Sequence, residues 1–504
     1  MGSSCAPALA VASALVALIA CGGEEGAAPS NPGSGASAGS AGSAGSGGEA
    51  GSAGSGGAGA SGSGGAAGTG GGDAGTPDDP DPVFTDAVRA ALAQLHYDAG
   101  PPPADPSNRF ADDPAARELG QRLFFDPALS GRLIEPDNDG NSATLGQRGE
   151  AGKVSCAGCH VPQSGFIDTR SPHQQISLAA QWGRRRAPTL LGVAFAPLYN
   201  WDGRRDTLWN QALGVMENDT EFNSGRLFVA QQVFRLYRQR YEAIFGPLPA
   251  LDDAATFPQL EPMTVGCDPA SPTTLPCRGK PGDAAYDGLS ADAKTAVTRV
   301  TVNAAKAIAA YVRQLRCGPS KFDAWLDGDA SALGRSEQRG AALFVGSAGC
   351  VSCHSGPNFS DGKFHNVGLR PATVAVAFTD TNDRGAGEGV ALALIDPLSS
   401  KGEFSDGDRA ALPSSAGPEF EGAFRTPTLR CIANQPSFMH TGQMKALDVV
   451  MRFFSRGGDA SGYPGTNQLV PVNLSEREQA DLAAFIRALQ GPGPEASLLV
   501  APGG

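Results

Sequence analysis

The sequence predicts a mostly α-helical protein with long loops, organised as two related domains. Apolar residues recur with a helical period in four segments, at 113–130, 301–318, 336–346 and 475–491. Strand-like segments are few, and Gly- and Pro-rich stretches such as 247–290 and 370–420 separate the helices. The pentapeptide Cys-x-x-Cys-His occurs at 156–160 and again at 350–354, each time after a helical segment with the pattern Gly-x-x-Leu-Phe. The repeated pattern indicates two domains with one pentapeptide each.

Residues 1–21 have the pattern of an export signal that ends in a lipid-attachment site. An apolar run, PALAVASALVALIA, leads into Cys21 through Leu-x-Ala-Cys, which is a lipoprotein-type cleavage site. A membrane-spanning helix needs roughly 20 apolar residues, so this shorter run favours a signal over an anchor helix. The first eight residues lack the Lys or Arg that is usual there. We expect a mature chain anchored by lipid on Cys21 at the periplasmic side of a membrane, typically the outer membrane of a Gram-negative bacterium.

The segment 22–82 is rich in Gly, Ser and Ala, and the first Lys or Arg of the chain is Arg89. Such a composition buries almost no apolar surface, so we expect a disordered tether with a reach of roughly 40 Å. The rest is divided into a domain at 83–300, which includes a cysteine-containing loop at 247–290, and a domain at 301–504. The formal charge is −13 and the one basic cluster is GRRRAP, which excludes nucleic-acid binding.

Four of the ten cysteines lie outside the signal, the lipid site and the two pentapeptides. They are Cys267, Cys277, Cys317 and Cys431. An even remainder in an exported protein predicts disulfides. The first two are close together in a Pro-rich loop and are expected to pair, which leaves the other two for each other. Three pairings are possible from the sequence alone.

Cys-x-x-Cys-His is typical of covalent haem attachment. The two thiols bind the two vinyl groups of the porphyrin, and the adjacent His is placed under the iron. A zinc site, a thioredoxin-like redox pair and chance are the alternatives, and a zinc site would need further ligands nearby. Two copies in an exported chain predict two haem c groups in two cytochrome c-like domains. The attachment residues are Cys156, Cys159, Cys350 and Cys353, with His160 and His354 as proximal iron ligands.

Beyond the first pentapeptide the chain resembles the bacterial di-haem cytochrome c peroxidase family, which includes the MauG-like enzymes. The resemblance rests on APTLLG, on WDGR with TLxxQA, on an acidic residue ten positions after that Gln, on FHNVGL, and on FRTPTLR leading to MHTG. It covers roughly residues 110–490. These motifs occur in order around both haem-attachment sites.

The resemblance implies roles for several residues. Trp201 is implied to carry electrons between the two haems, and Gln211 and Glu221 to face the open side of the first haem. A carboxylate there can take the proton from the near oxygen of hydrogen peroxide and return it to the far one. Gln can hydrogen-bond to both oxygens without a change of charge. Arg425 is implied to contact a haem propionate.

The sequence departs from the family at the iron ligands. Members with a displaceable distal His have it just before R-x-APT, whereas His173 lies several residues too early, so we expect an open first haem. The family's Met or Tyr ligand of the second haem corresponds to Phe454, which cannot bind iron. Met451 lies one helical turn earlier and is our predicted ligand. Met439 and Met444 are alternatives, as is an open second haem.

Two further departures concern the region between the domains. Arg186 replaces an Asn that helps to hold calcium in family members, and a cation cannot be a calcium ligand, so we do not expect that calcium. Cys431 replaces a usual Asn, which fits the disulfide prediction. His365 and His440 are implied to line the surroundings of the second haem.

Three functions are consistent with these patterns. The first is a lipid-anchored di-haem peroxidase that reduces hydrogen peroxide with electrons from a small donor protein, a cytochrome c or a cupredoxin. The second is a MauG-like enzyme that oxidises a residue of a partner protein. The third is a tethered electron carrier without catalysis.

Overall fold

The computed structural model describes residues 81–170, 176–267, 277–371 and 380–503. The predicted signal, the lipid site at Cys21, nearly all of the predicted tether and His173 lie outside these ranges. Within them the chain is mostly helical, as the sequence predicts, with long irregular connections. No helix in the described ranges is both long and apolar enough to cross a membrane.

The described residues form twelve α-helices and one small antiparallel sheet. The helices are α1 Asp86–Ala93, α2 Pro114–Phe125, α3 Cys156–Cys159, α4 Leu208–Glu217, α5 Arg226–Phe245, α6 Ala284–Asp287, α7 Ala291–Val312, α8 Lys321–Leu326, α9 Arg335–Val345, α10 Ala386–Leu394, α11 Leu447–Ser455 and α12 Glu476–Ala488. The strands are β1 Phe364–His365 and β2 Phe424–Arg425, with His365 opposite Phe424.

The first hydrophobic cluster is built around α7, which packs against α2, α4 and α5. Ser290 caps the start of α7 by accepting a hydrogen bond from the backbone nitrogen of Ala293, and Asp113 caps α2 in the same way. From Val300 to Val312 every residue of α7 is buried. This helix is therefore the central element of the first cluster.

The second cluster lies between α9, α11 and α12, with α1 packed against α9. Its centre is aromatic, with Phe322, Phe344, Phe359 and Phe485 in mutual edge or tilted contact. Ser475 and Glu478 form the predicted capping box at the start of α12. Each Cys-x-x-Cys-His pentapeptide thus has its own hydrophobic cluster, as the repeated pattern predicts.

The boundary placed at residue 300 falls inside a helix. α7 starts at Ala291, ten residues before the segment in which the apolar period is clear, and packs over its whole length in the first cluster. Conversely, Leu92 at the end of α1 is buried in the second cluster although it precedes the first in the chain. Chain order and spatial grouping therefore differ at both ends of the first domain.

The repeated Gly-x-x-Leu-Phe pattern has a packing cause. A Cβ atom at Gly120 of α2 would lie 1.8 Å from the carbonyl oxygen of Ala307 on α7. A Cβ atom at Gly340 of α9 would lie 2.0 Å from the carbonyl oxygen of Asp481 on α12. Each glycine lets the helix before a pentapeptide approach a second helix closely.

Both predicted disulfides are present. Cys267 pairs with Cys277, and Cys317 pairs with Cys431. The second bridge joins the segment that follows α7 to a segment 114 positions later in the chain. The four pentapeptide cysteines are not in disulfides.

Candidate functional site

The first pentapeptide presents one ring nitrogen of His160 for iron binding. Cys156–Cys159 form the single turn α3, and His160 ends it. The ring Nδ1 of His160 lies 3.0 Å from the carbonyl oxygen of Phe166. A carbonyl only accepts hydrogen bonds, so Nδ1 carries the proton and the Nε2 lone pair is left for a metal. Burial lowers the pKa of His160, which favours the neutral ring that a metal requires.

The second pentapeptide repeats this arrangement. The Nδ1 of His354 donates to the carbonyl oxygen of Phe359 over 2.9 Å, and burial also lowers the pKa of His354. Phe166 and Phe359 are fully buried and adopt positive φ angles of 60° and 50°. Sequence reasoning missed these two phenylalanines. The signal was present as a Phe six residues after one His and five residues after the other.

A cavity of about 400 Å³ adjoins the first pentapeptide. Its wall brings together seven of the residues singled out from the sequence, namely Cys156, Cys159, His160, Trp201, Gln211, Glu221 and Arg425. Apolar side chains such as Phe124, Leu208 and Ile308 form much of the remaining wall. A cavity whose wall is apolar over most of its area and also carries polar and charged groups suits a large planar cofactor with charged substituents.

The cysteines of the first pentapeptide are poor redox thiols as free groups. Burial raises the pKa of Cys156 to about 12 and that of Cys159 to about 11. Burial raises the pKa of Cys350 in the second pentapeptide to about 12 as well. A reactive dithiol needs a lowered thiol pKa. These values disfavour the thioredoxin-like alternative and are compatible with thioether attachment of haem.

Glu221 and Gln211 reach the cavity from neighbouring elements. Gln211 lies on α4, and Glu221 lies in the turn that follows it. The backbone carbonyl of Glu221 accepts a hydrogen bond from the nitrogen of Ala180 over 3.1 Å, which fixes the turn. Burial raises the pKa of the Glu221 carboxyl, whereas Arg204 and a hydrogen bond from Asn218 act in the opposite direction. Glu221 therefore exchanges a proton at a higher pH than an exposed Glu does.

Trp201 connects the two halves of the site. It lines the first cavity and also a smaller cavity of about 140 Å³, and it packs in the second hydrophobic cluster. Its indole Nε1 donates to the carbonyl oxygen of Arg186 over 2.9 Å, and its own carbonyl oxygen accepts from the backbone nitrogen of Arg425 over 2.8 Å. The ring is therefore held in one orientation between the clusters.

Two buried arginines flank Trp201 and line both cavities. Arg425 donates from Nε to the carbonyl oxygen of Asn200 over 3.2 Å. Arg186 donates to the carbonyl oxygen of Ser437 and, over 3.0 Å, to Oε1 of Gln435. Burial lowers the pKa of each guanidinium to about 10, and neither has an ion pair with a carboxylate among the described residues.

Buried charges without a counter-charge are unfavourable, so these two guanidiniums fit an anionic group that binds beside them. The propionates of a haem are such groups. The apolar wall, the oriented His rings, the buried thiols and the two arginines together fit a haem at each pentapeptide. The sequence reasoning named Arg425 for this role but did not assign it to Arg186. The absence of calcium stays a prediction.

The residues predicted around the second haem are distributed over several elements. Met439 lines the smaller cavity, Met444 is buried, and Met451 on α11 packs against the second cluster. His365 is bonded through Nε2 to Asp361 over 2.9 Å. Met451 as the sixth ligand stays a prediction.

His440 is buried next to Trp201, and its ring stacks on Phe424 with a centroid distance of 3.5 Å. Burial lowers its pKa to about 3, so the ring is neutral at physiological pH. This His therefore contributes an aromatic contact and no charge between the two clusters.

Comparisons with known proteins find similarity to di-haem proteins. The family model described as di-haem cytochrome c peroxidase matches residues 114–265. The methylamine utilization protein MauG of Methylorubrum extorquens is 29% identical over 377 residues, which are 74% of this chain and 77% of that protein. The cytochrome-c peroxidase IdrP1 of Denitromonas iodatirespirans is 27% identical over 425 residues, which are 81% of this chain and 92% of that protein.

A solved structure supports the fold. The di-haem peroxidase BthA of Burkholderia thailandensis superposes with a TM-score of 0.52 at 22% identity, over 77% of this chain and 89% of that protein. The family match spans the first pentapeptide, Trp201, Gln211 and Glu221, and the two relatives extend the similarity over most of the folded chain. The chain is therefore similar over most of its folded part to di-haem cytochrome c peroxidases and MauG, and residues 114–265 match the model of that family.

Proposed function

We propose that this protein is an exported, lipid-anchored di-haem peroxidase that reduces hydrogen peroxide to water with electrons from a small redox protein. It is an oxidoreductase of the cytochrome-c peroxidase type. The observation that carries the proposal is the placement of Glu221 and Gln211 on the wall of the cavity into which His160 faces. This is the arrangement needed to bind peroxide at an iron and to move its protons.

The proton steps follow from the side chains of the cavity. The haem held by Cys156, Cys159 and His160 supplies the redox chemistry of the reaction, in which peroxide, two protons and two electrons give two molecules of water. Glu221 accepts the proton of the near oxygen and returns it to the far oxygen, which then leaves as water. Gln211 orients the peroxide by hydrogen bonds. The apolar wall limits competing water.

Electrons enter at the second pentapeptide and pass by Trp201. The position of this ring, on the walls of both cavities and within the second cluster, supports a relay between the two haem sites. A cytochrome c or a cupredoxin is the proposed donor. Lipid on Cys21 would hold the enzyme at the periplasmic side of a membrane, where such donors are found.

Replacement of Glu221 by Gln tests the proton role. We expect the rate constant for the reaction with peroxide to fall by roughly 10²–10⁴-fold, because the amide cannot carry the proton. Stopped-flow absorption of the haem-loaded protein measures this rate. Glu261→Gln is the matched control, since Glu261 has a side chain that is 68% exposed. A Glu221→Gln protein that reacts at the normal rate would rule out the proton role.

A MauG-like oxidation of a partner protein is the second candidate function. It is favoured by the 29% identity to MauG and by Phe454 at the position of the usual iron ligand. Consumption of peroxide with reduced cytochrome c or cupredoxin as the donor distinguishes the two. The second function holds if neither donor protein is oxidised and a small exported protein encoded by a neighbouring gene gains an oxidised Trp or Tyr.

A further inference from the structure

Arg204 shares the wall of the first cavity with Glu221 and Gln211. It follows Trp201 in the WDGRR segment. Asp202 holds it at two points: Oδ2 accepts from Nη1 of Arg204 over 3.3 Å, and Oδ1 accepts from its backbone nitrogen over 3.3 Å. The guanidinium is thereby fixed at the cavity, although its side chain is 29% exposed.

Asp202 is itself held in a buried chain of alternating charges. Its Oδ2 accepts from Nη1 of Arg185 over 2.5 Å. Arg185 in turn donates to both carboxylate oxygens of Asp383, over 2.8 and 2.6 Å. The side chains of Asp202, Arg185 and Asp383 are each less than 8% exposed. Arg185 and Arg204 are the members of this chain that reach the cavity.

Among the groups that lower the pKa of Glu221 against the effect of burial, Arg204 has the largest effect. Burial favours the neutral carboxyl, and the Arg204 charge favours the carboxylate more than Asn218 or Arg205 does. The negative charge of Asp202 raises the pKa of Glu221, but this effect is smaller than those of Arg204, Asn218 and Arg205. The other charged or titratable groups on the cavity wall are Arg184, Arg185, Arg186, Asp219, Arg425, His160, Cys156, Cys159 and Tyr199.

We propose that Arg204, held by Asp202, is a positioning residue that keeps Glu221 ionised and ready to take the proton of peroxide. The inference rests on the proposed peroxidase function and deepens it. A buried carboxyl that retained its proton at neutral pH could not accept another one. The positive charge of Arg204 opposes the effect of burial on the Glu221 carboxyl. Because Arg204 is partly exposed, solvent limits the size of this effect.

The test compares the pH dependence of the peroxide reaction in wild type, Arg204→Gln and Arg204→Lys. The haem-loaded proteins are mixed with hydrogen peroxide by stopped flow from pH 4 to pH 9. We expect the acid limb of Arg204→Gln to move to higher pH by up to about one unit. At a pH below the midpoint, Arg204→Gln should react up to about tenfold more slowly than wild type. At high pH the rates of the two proteins should be equal. Arg204→Lys retains the charge and stays close to wild type.

Infrared difference spectra give a readout that does not depend on turnover. The carboxylic C=O band that disappears in Glu221→Gln should persist to higher pH in Arg204→Gln than in wild type. Arg240→Gln, a change on the exposed part of α5, is the control for loss of one surface charge. The haem absorption spectrum verifies that each variant is folded and loaded.

Two results would overturn the proposal. One is an equal loss of rate by Arg204→Gln at every pH with an unmoved midpoint. The other is a changed haem reduction potential with an unmoved midpoint, which would make Arg204 a propionate contact. These outcomes leave the peroxidase function intact as long as Glu221→Gln is impaired. If Glu221→Gln reacts normally, the peroxidase assignment of Glu221 fails instead.

Discussion

A single backbone contact decides which ring nitrogen of each pentapeptide His is available to bind a metal. The carbonyl oxygens of Phe166 and Phe359 fix the Nδ1 protons of His160 and His354. Each Phe adopts a positive φ angle, which is uncommon for a bulky residue. The same solution in both halves indicates that orientation of the His ring outweighs the local backbone cost.

Buried charge pairs make another contribution at the level of residues. Arg430 binds Asp323 through two parallel hydrogen bonds of 2.8 and 2.9 Å, and both side chains are almost fully buried. Although burial raises the pKa of Asp323, the hydrogen bonds and charge of Arg430 outweigh it and lower the pKa to about 2. The charged pair is therefore intact throughout the neutral range.

Asp323→Asn is expected to lower the free energy of unfolding by about 3–5 kcal/mol, because it leaves the Arg430 charge buried without a partner. Urea unfolding at pH 7, followed by circular dichroism, measures the change. In the wild type, ionised Asp323 contributes its full stabilisation at any pH above the ordinary Asp pKa near 4. This stabilisation is lost as the pH falls towards the lowered pKa of about 2. Asp252→Asn, at an exposed position, is the control. Equal stabilities of the two variants would contradict the expectation.

At the level of elements, each haem-attachment motif is positioned by a pair of closely packed helices. α2 packs on α7 before the first pentapeptide, and α9 packs on α12 before the second. Gly120 and Gly340 lie at the points of closest approach. The Arg339 guanidinium adds a paired contact to Asp481 across the second crossing. Close backbone approach therefore helps to fix the helix that leads into each motif, and at the second crossing Phe344 also contacts Phe485.

Gly120→Ala and Gly340→Ala are each expected to lower the free energy of unfolding by about 1–3 kcal/mol. The added methyl group would meet a backbone carbonyl that cannot move without shifting a helix. Thermal unfolding of the haem-loaded proteins measures this loss. Gly493→Ala is the control, since no atom lies within 4 Å of its Cβ position. An unchanged midpoint in both helix variants would show that the crossings can open freely.

At the scale of the whole molecule, several contacts join the two clusters. Arg186, in the chain after the first pentapeptide, donates to the segment at 435–437. Its backbone nitrogen donates to the carbonyl oxygen of His440 over 2.9 Å. The backbone nitrogen of Arg425 donates to the carbonyl oxygen of Trp201 in the same region. The region around Trp201 is therefore fixed by both halves of the chain, which is what an electron relay requires.

Of the two disulfides, Cys317–Cys431 closes the longer segment of chain, with a separation of 114 residues. Replacing both cysteines by Ser is expected to lower the free energy of unfolding by about 2–5 kcal/mol, because the unfolded chain gains freedom. The matched comparison is removal of Cys267–Cys277, which closes only 10 residues and should cost less. Denaturant unfolding of both double variants provides the measurement. A larger loss for the short bridge would contradict this argument.

The sequence by itself determined the parts whose chemistry is local. Cys-x-x-Cys-His fits into one turn plus one residue, so its presence predicts haem attachment without knowledge of the fold. Regular apolar spacing located α2, α9 and α12 to within a few residues, whereas α5 and the first ten residues of α7 were not identified. Those segments carry many polar residues, and their burial depends on neighbouring helices.

Only the tertiary structure decided which distant residues meet. Arg186 and Arg425 are 239 positions apart in numbering yet line the same two cavities, and no local pattern reports such a contact. The same holds for the chain of charges that links Asp383, Arg185, Asp202 and Arg204 and reaches the cavity lined by Glu221. Burial and electrostatic fields are sums over all neighbours in space, so the proton affinity of Glu221 follows from the fold and not from its motif.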